Sequence, residues 1–353
     1  MKAVKVLTSF LGAMLLAFLL AAATGWDFGL SLIGVMLISL IPAPRGVLNM
    51  AIQVEIWEKD VVDNLYKNNQ FAQYAWPADE FVLKGTVVHI PVSGSPGQVK
   101  KNLQVFPQTA MKRADNDIVY AIDTFYLLPR HIEEIEKYEL SYDKRQSVVG
   151  EDEAFLIQCA MDNLLYKWAP AAANTLLTDG APVDATLAGA QGSRASFTKQ
   201  AFEDIFLKWN HANIPDTDRV ALLTAHHYSQ FLKSLSEAEK TDVGRVADLS
   251  KGVVGEYLGI KIMRRSEVLR YRGADGAYSV VDELDENYAP DEDDRSASLF
   301  WQKYSVERAF GEVKMFDNPG RAEYYGDIFS MILRLGGRQR RAAGVWAVVE
   351  AIV

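Results

Sequence analysis

His226 and His227 are the residues of this chain best suited by type to bind a metal or move a proton. Adjacent side chains on a helix point about 100° apart, so the two do not converge on one ion. The i, i+4 histidine pair of a zinc helix is missing. The pair is therefore expected at solvent or at an interface. Residues 272–295 hold a second candidate, the carboxylates Asp282, Glu283, Asp285, Glu286, Asp291, Glu292, Asp293 and Asp294. They lack the D-x-D-x-D-G order of a calcium loop and read as a solvated surface insertion. Cys159 is the single cysteine, which excludes an intramolecular disulfide and a cysteine-based metal site. Its apolar helical context predicts a buried small side chain. Ser196, Ser229 and the scattered carboxylates form no triad by spacing. Gly189-Ala190-Gln191-Gly192 is too short a glycine signal to cradle phosphate, and the nucleophile-elbow, Walker A and dinucleotide patterns are absent. No catalytic, cofactor-binding or metal residue is assigned. An enzyme stays open only because catalytic groups meet in space and not in sequence.

The elements that would position any such group belong to a globular chain. Its 353 residues suffice for one large or two ordinary domains, with 49% hydrophobic and 24% charged residues. The net charge of −9 argues against a dedicated nucleic-acid binder.

The stretch 214–266 carries the most information. Pro215 with Asp216 and Asp218 makes a turn. Residues 220–224 (VALLT) form an apolar strand, and Tyr228, Phe231, Leu232 and Leu235 fall at helical spacing. A short acidic loop follows. Gly252, Gly255 and Gly259 then precede the alternating strand 260–263 (IKIM). Upstream, Trp57, Val61, Leu65 and Phe71 suggest an amphipathic helix. Two strand-like runs, 87–90 and 118–126, flank a segment rich in Gly, Pro and Lys and predict an extended hairpin. Ile132, Ile135 and Leu140 predict a short helix. Val149, Leu156, Ala160, Leu164 and Trp168 form one stripe of a longer helix, with Phe155 and Cys159 beside it and Pro170 as its stop. Residues 171–196 read as a solvent-facing loop, and 197–209 as an amphipathic helix. Residues 306–353 return to strand character, with a turn at Asn318-Pro319-Gly320 and a basic group of Arg338, Arg340 and Arg341.

The ordered set Pro215, Arg219, Tyr228, Gly252, Gly255, Gly259 and Ser266 resembles the axial domain of tailed-phage major capsid proteins. The stretch 123–149 resembles the passage from their extended arm into the spine helix. The resemblance covers roughly residues 50–353, most of the chain. It implies an α+β Hong Kong 97-like fold with an N-terminal arm at 50–80 and an extended hairpin loop at 81–128. A peripheral domain with the spine helix follows at 129–196. An axial domain takes 197–305, with the acidic insertion at 272–295, and C-terminal strands at 306–353 complete both. It further implies a non-enzymatic structural protein of the virion, assembled in the host cytoplasm, with no cofactor. Its partners are other copies of itself in hexamers and pentamers, portal and other virion proteins, and packaged double-stranded DNA held by non-specific contact. An encapsulin-type compartment shares this fold and encloses protein cargo instead.

Residues 1–49 depart from that pattern. Lys2 and Lys5 precede apolar runs at 6–23 and 28–41, closed by Pro42, Pro44 and Gly46. Such a leader reads as an export signal or a membrane segment, and it motivates a rival class, a membrane-anchored or exported enzyme or binding protein. Within the capsid reading it is removed, buried in the assembly, or placed in lipid. Removal is favoured, with a folded domain starting near Met50.

Overall fold

The computed structural model describes residues 69–83, 87–92, 101–102, 116–133, 144–248, 251–274 and 276–353. The expectations for 1–49, for a helix through Trp57, Val61 and Leu65, and for Ile135 and Leu140 lie outside the described residues. In chain order the strands are β1 (Trp76–Pro77), β2 (Val82–Leu83), β3 (Val87–Val92), β4 (Asn116–Ala121), β5 (Asp123–Glu133), β6 (Thr175–Leu177), β7 (Pro182–Asp184), β8 (Ser193–Ala195), β9 (Arg219–Thr224), β10 (Val253–Tyr257), β11 (Ile260–Arg265), β12 (Leu269–Arg272), β13 (Ser279–Val280), β14 (Arg295–Gln302), β15 (Val306–Arg321), β16 (Gly326–Gln339) and β17 (Val345–Val349). The helices are α1 (Lys144–Trp168), α2 (Gln200–His211), α3 (Ala225–Ser234) and α4 (Glu237–Arg245).

Two sheets carry the fold. A four-stranded sheet runs β1-β15-β16-β5. An eight-stranded mixed sheet runs β10-β11-β9-β14-β12-β13, with β17 on β14 and β6 on β17. Every residue of β9 and β14 is buried, as expected of central strands covered on both faces. Phe202, Phe231 and Phe300 meet at the centre of one face, with ring centroids 4.7 to 5.0 Å apart for the two pairs that Phe202 makes.

Helix α1 lies on the long hairpin β15–β16. Leu156, Ala160, Leu164 and Trp168 are buried as the stripe requires, while Phe155 is exposed and Val149 half-buried. The stripe meets Phe329, Met331, Leu333 and Leu335, the alternate residues of β16 that are buried. At Gly337 the approach is so close that a Cβ would lie 2.3 Å from Leu164 Cδ1. Trp168 ends the helix edge-on to Phe71 at 6.1 Å and tilted against Trp301 at 5.6 Å. We expect Leu164→Ala to lower the unfolding free energy by about 2–5 kcal/mol, read by chemical denaturation. A loss below about 0.5 kcal/mol would mean that the site collapses freely around the smaller side chain.

Several expectations are corrected. The run 118–126 is two strands. β4 pairs with β3, the chain turns inward at buried Ile122, and β5 pairs with β16. Ile132 sits in β5, not in a helix, so the expected hairpin boundary at residue 128 falls inside a strand. Pro129 is tolerated because β5 is an edge strand and its register against β16 shifts between Phe329 and Met331. Phe71 lies in a 3-10 turn (Gln70–Tyr74). The segment 318–320 is a bulge within β15; the reversal occupies 322–325. There Tyr325 takes φ 52°, and the Gly320 N–H donates to Asp327 Oδ1 at 2.9 Å. The supposed loop 171–196 contributes β6, β7 and β8 and buries Arg194.

The acidic loop after α3 is helix α4. It is opened by a capping box in which Ser236 and Glu239 satisfy each other's backbone N–H groups. Lys199 reaches Glu239 at 2.9 Å. That hydrogen bond, followed by those from Ser236, holds the Glu239 carboxyl down at about 2. Gly255 is a strand residue at a register shift of β10, where a Cβ would meet Val243 Cγ1 at 2.6 Å.

Candidate functional site

The two histidines part company. His226 is exposed on α3, whereas His227 is fully buried within the chain, contrary to its expected place at solvent or at an interface. The cause is helical phase. His227 stands four residues before buried Phe231 and so shares its inward face, while His226 points away. Thr224 caps α3 by accepting the His227 N–H at 3.1 Å. The imidazole stacks on Phe197 at 5.1 Å. Its Nδ1 lies 2.7 Å from Ser298 Oγ and its Nε2 3.3 Å from Glu350 Oε1.

Serine, histidine and carboxylate in a row have the connectivity of a nucleophilic relay. A substrate cannot reach it, because Ser298 and His227 are 0% exposed and Glu350 2%. Ser298 Oγ also accepts the Thr224 N–H at 3.2 Å, and the second Glu350 oxygen accepts the Ser296 N–H at 3.3 Å. The group ties α3, β14 and the end of β17 together. We expect His227→Ala to cost about 3 kcal/mol of stability, by leaving Ser298 and Glu350 buried without their partner. Equal stability of mutant and wild type in denaturant titrations would refute that role.

Two further charge clusters escaped sequence reasoning. Asp294, expected in a solvated insertion, is buried at its base. It accepts from Arg272 Nε at 2.7 Å, Arg272 Nη2 at 3.1 Å, Arg270 Nη1 at 3.1 Å and its neighbour Asp291 N–H at 3.0 Å. Arg194, also buried, donates to the carbonyls of Gln191 and Glu292 at 2.9 Å. The acidic loop is thus fastened at its root, while Glu283, Asp285, Glu286, Asp291, Glu292 and Asp293 are exposed and Asp282 is half-buried.

The second cluster centres on buried Glu307. Arg338 Nε lies 2.5 Å from Oε1, Arg340 Nε lies 3.3 Å from Oε2, and Trp168 Nε1 donates to the backbone carbonyl at 2.9 Å. Arg340 covers the Trp76 ring at 4.1 Å and Arg338 the Tyr120 ring at 5.4 Å. Burial first, then the Glu307 carboxylate, pushes the Tyr120 phenol well above its usual range. The cluster around Glu307, through its carboxylate, its backbone carbonyl and the two stacked arginines, therefore joins β1, β4, β15, β16 and α1.

Arg219 plays a similar part in the stretch 214–266. Its guanidinium donates to the carbonyls of Pro215 and Ile214 at 3.0 and 2.6 Å, and to Asn210 Oδ1 at 3.0 Å. It thereby closes the turn before β9 against the end of α2. Of the remaining candidates, Ser196 is half-buried and Ser229 exposed. Gly189 and Gly192 take φ of 87° and 82° as turn residues. Among the described residues no group of three or more His, Cys, Asp or Glu side chains is placed to hold a metal ion. None of the described helices is long and apolar enough to cross a membrane.

Cys159 is half-buried rather than buried. It lines a groove of about 930 Å³ between α1 and the segment 265–284. Burial first, then Asp162, raises its thiol pKa. Five carboxylates (Glu153, Asp162, Glu267, Asp282 and Glu283) and two guanidiniums (Arg265 and Arg270) line the groove. Phe155, 63% exposed, and Leu284 also line it.

No protein-family model and no curated protein matches the sequence. Solved structures do match the fold. The capsid of Ralstonia phage GP4 superposes with a TM-score of 0.54 at 12% identity, covering 79% of this chain and 87% of that one. The capsid of cyanophage P-SCSP1u gives 0.53 at 15%, covering 78% and 86%. The cyanophage Pam1 capsid gives 0.51 at 10%, covering 79% and 91%. The spine-like helix on a long hairpin, the three-stranded sheet β2-β3-β4 and the mixed central sheet are therefore one arrangement: this chain has the Hong Kong 97-like fold of tailed-phage capsid proteins.

Proposed function

We propose that this chain is a major capsid protein, which self-assembles into an icosahedral shell around phage double-stranded DNA. The observation that carries the reading is the extent of the fold match, which takes in nearly four-fifths of this chain and most of each phage capsid chain. In this reading α1 with β5, β15 and β16 is the peripheral domain. The central sheet with α2, α3 and α4 is the axial domain, and β2-β3-β4 is the root of the extended hairpin.

The surface supports it. On the sheet face turned away from α1, the register pairs Tyr126 with Ile332, with Leu128 beside Tyr126 and Phe316, opposite Ser330, diagonal to Ile332. Tyr126 is 66% and Leu128 79% exposed. Contiguous apolar area of this kind is rare on a chain that works alone; contact between copies covers it. The chain acts as a building element and not as an enzyme, consistent with a Ser298–His227–Glu350 relay closed to substrate. DNA is held by non-specific contact, and portal and other virion proteins join the shell. Residues 1–49 are absent from the mature particle.

The test is electron microscopy of the purified protein, followed by nuclease digestion of the particles. Closed shells protecting double-stranded DNA are expected from phage-infected or induced cells. Shells filled with protein and free of DNA would point to an encapsulin-type compartment, and a monomer at every concentration would overturn the proposal.

A further inference from the structure

Residues 340–344 lead from β16 into β17 as a ridge held in one shape. The Arg340 and Arg341 N–H groups both donate to the Ser305 carbonyl, at 2.8 and 3.2 Å. Asn174 Nδ2 donates to the Ala342 carbonyl at 2.8 Å, and Trp346 Nε1 to the Ala343 carbonyl at 3.1 Å. A Cβ at Gly344 would lie 1.9 Å from Ser305 Oγ, so the turn is pressed against residues 303–305. A partner that meets this ridge does not have to order it first.

The ridge is basic, and its cations are unspent. Arg341 is exposed, and its guanidinium makes no hydrogen bond or ion pair among the described residues. Arg340 turns Nε to Glu307 and lies over Trp76, while its Nη groups make no hydrogen bond among the described residues. Lys208 stands over the Trp346 ring at 4.7 Å. Neither its amine nor that of Lys303 has an ion pair among the described residues. Of the carboxylates near in sequence, Asp216 pairs with Arg219, Asp218 with Lys261 and Asp79 with Arg308. That leaves Glu307, Asp204 one turn before Lys208, and Glu80 four residues after Trp76. Five cations (Arg338, Arg340, Arg341, Lys208 and Lys303) face those three carboxylates, on a chain whose net charge is −9. Fixed cations without partners are what a phosphate backbone neutralises, whatever its base sequence, and a guanidinium held on an indole still presents its remaining donors to phosphate. We propose that this ridge, with Lys208 and Lys303, is a binding site for the phosphodiester backbone of double-stranded DNA. The inference rests on the shell reading for the choice of DNA and names the surface that holds it.

The test titrates the unassembled full chain into a short labelled DNA duplex and reads fluorescence anisotropy at several salt concentrations. About three phosphate contacts give a slope of about −3 for log affinity against log salt. Arg341→Glu should flatten the slope by about one and weaken binding about tenfold at low salt. Lys233→Glu makes the same change of net charge at an exposed position on α3 and should weaken binding less than about twofold. Neither side chain has a partner among the described residues, so both variants should keep the thermal midpoint of the wild type. In a second arm, Ala342→p-benzoylphenylalanine places a photo-crosslinker on the exposed ridge. Irradiated DNA-filled particles should then yield DNA attached to the peptide that holds position 342. No binding at low salt, equal losses from the two charge reversals, or polyglutamate competing as well as DNA would each overturn the ridge assignment. So would filled particles whose cross-links run to protein alone, and all four results leave the shell reading standing. Particles free of DNA, or no particles, overturn the shell reading instead, and the titration then decides the ridge by itself.

Discussion

Asp294→Ala will lower the unfolding free energy by about 3–5 kcal/mol, the range for removing one partner of a buried ion pair. Its carboxylate is fully buried and has Arg270, itself 4% exposed, on one side and Arg272 on the other. Removing it leaves the Arg270 charge in the interior with Glu283, the more exposed Glu267, the Ala188 carbonyl and the Tyr288 ring. Asp294→Asn keeps the shape and one acceptor oxygen. It should cost less, about 1.5–3 kcal/mol, the share of hydrogen bonds to a charged group. Chemical denaturation of the three proteins at pH 7 checks the order; a loss under 1 kcal/mol for the alanine variant would show that the arginines find other partners.

The effect carries a pH signature. Burial pushes the Asp294 carboxyl up, but the Arg272, Asp291 N–H and Arg270 hydrogen bonds outweigh it and hold it below its usual range. A carboxyl lower in the folded than in the unfolded state stabilises fully above the unfolded value, about 3.9. That stability is lost as pH falls through the lower folded value. The wild type should therefore lose this contribution only below about pH 4, and the stability profile of the alanine variant should be flatter in that window.

Deleting residues 94–101 should leave the fold and abolish efficient assembly. The strands that pair, β3 and β4, lie outside the deletion, so the thermal midpoint should stay close to that of the full chain. If the segment docks on a neighbour, each subunit loses a contact worth about 2 kcal/mol or more. That is roughly thirtyfold in an association constant, repeated at every subunit of a shell. Sedimentation of the purified protein reads the result directly: slow-moving species are expected, and shells in normal yield would remove the hairpin from the list of assembly contacts.

What the sequence makes legible follows from local periodicity. The α1 stripe and strands β9 and β11 obey their periods of 3.6 and 2 because each presents a regular face to a core. The pieces it hides depend on distant partners. β6 is three residues long and exists as a strand because β17 lies beside it. Asn318-Pro319-Gly320 has the composition of a turn, yet β16 continues alongside it and moves the reversal to 322–325. His227 was readable in principle, four residues from Phe231 on one helix face, but its partners Ser298 and Glu350 are 71 and 123 positions away. Glu307 sits beside Val306, and both are buried. No local pattern announces a carboxylate whose guanidinium partners, Arg338 and Arg340, lie at the end of the returning strand and just beyond it.

The order in which the sheets are sewn also bears on how the chain comes off the ribosome. β5 and the buried stripe of α1 both wait for β16, and β6 waits for β17. Synthesis proceeds at about 5–20 residues per second, so the first half of the chain is exposed for roughly ten seconds or more before its partners emerge. Contacts this far apart in sequence also slow folding. Neither sheet can close on a nascent chain. A product that stops short of residue 326 presents a bare α1 stripe and an unpaired β5, and lacks the Arg338 and Arg340 that hold Glu307. It becomes a target for chaperones and proteases, so premature termination removes itself from the pool instead of capping a growing particle.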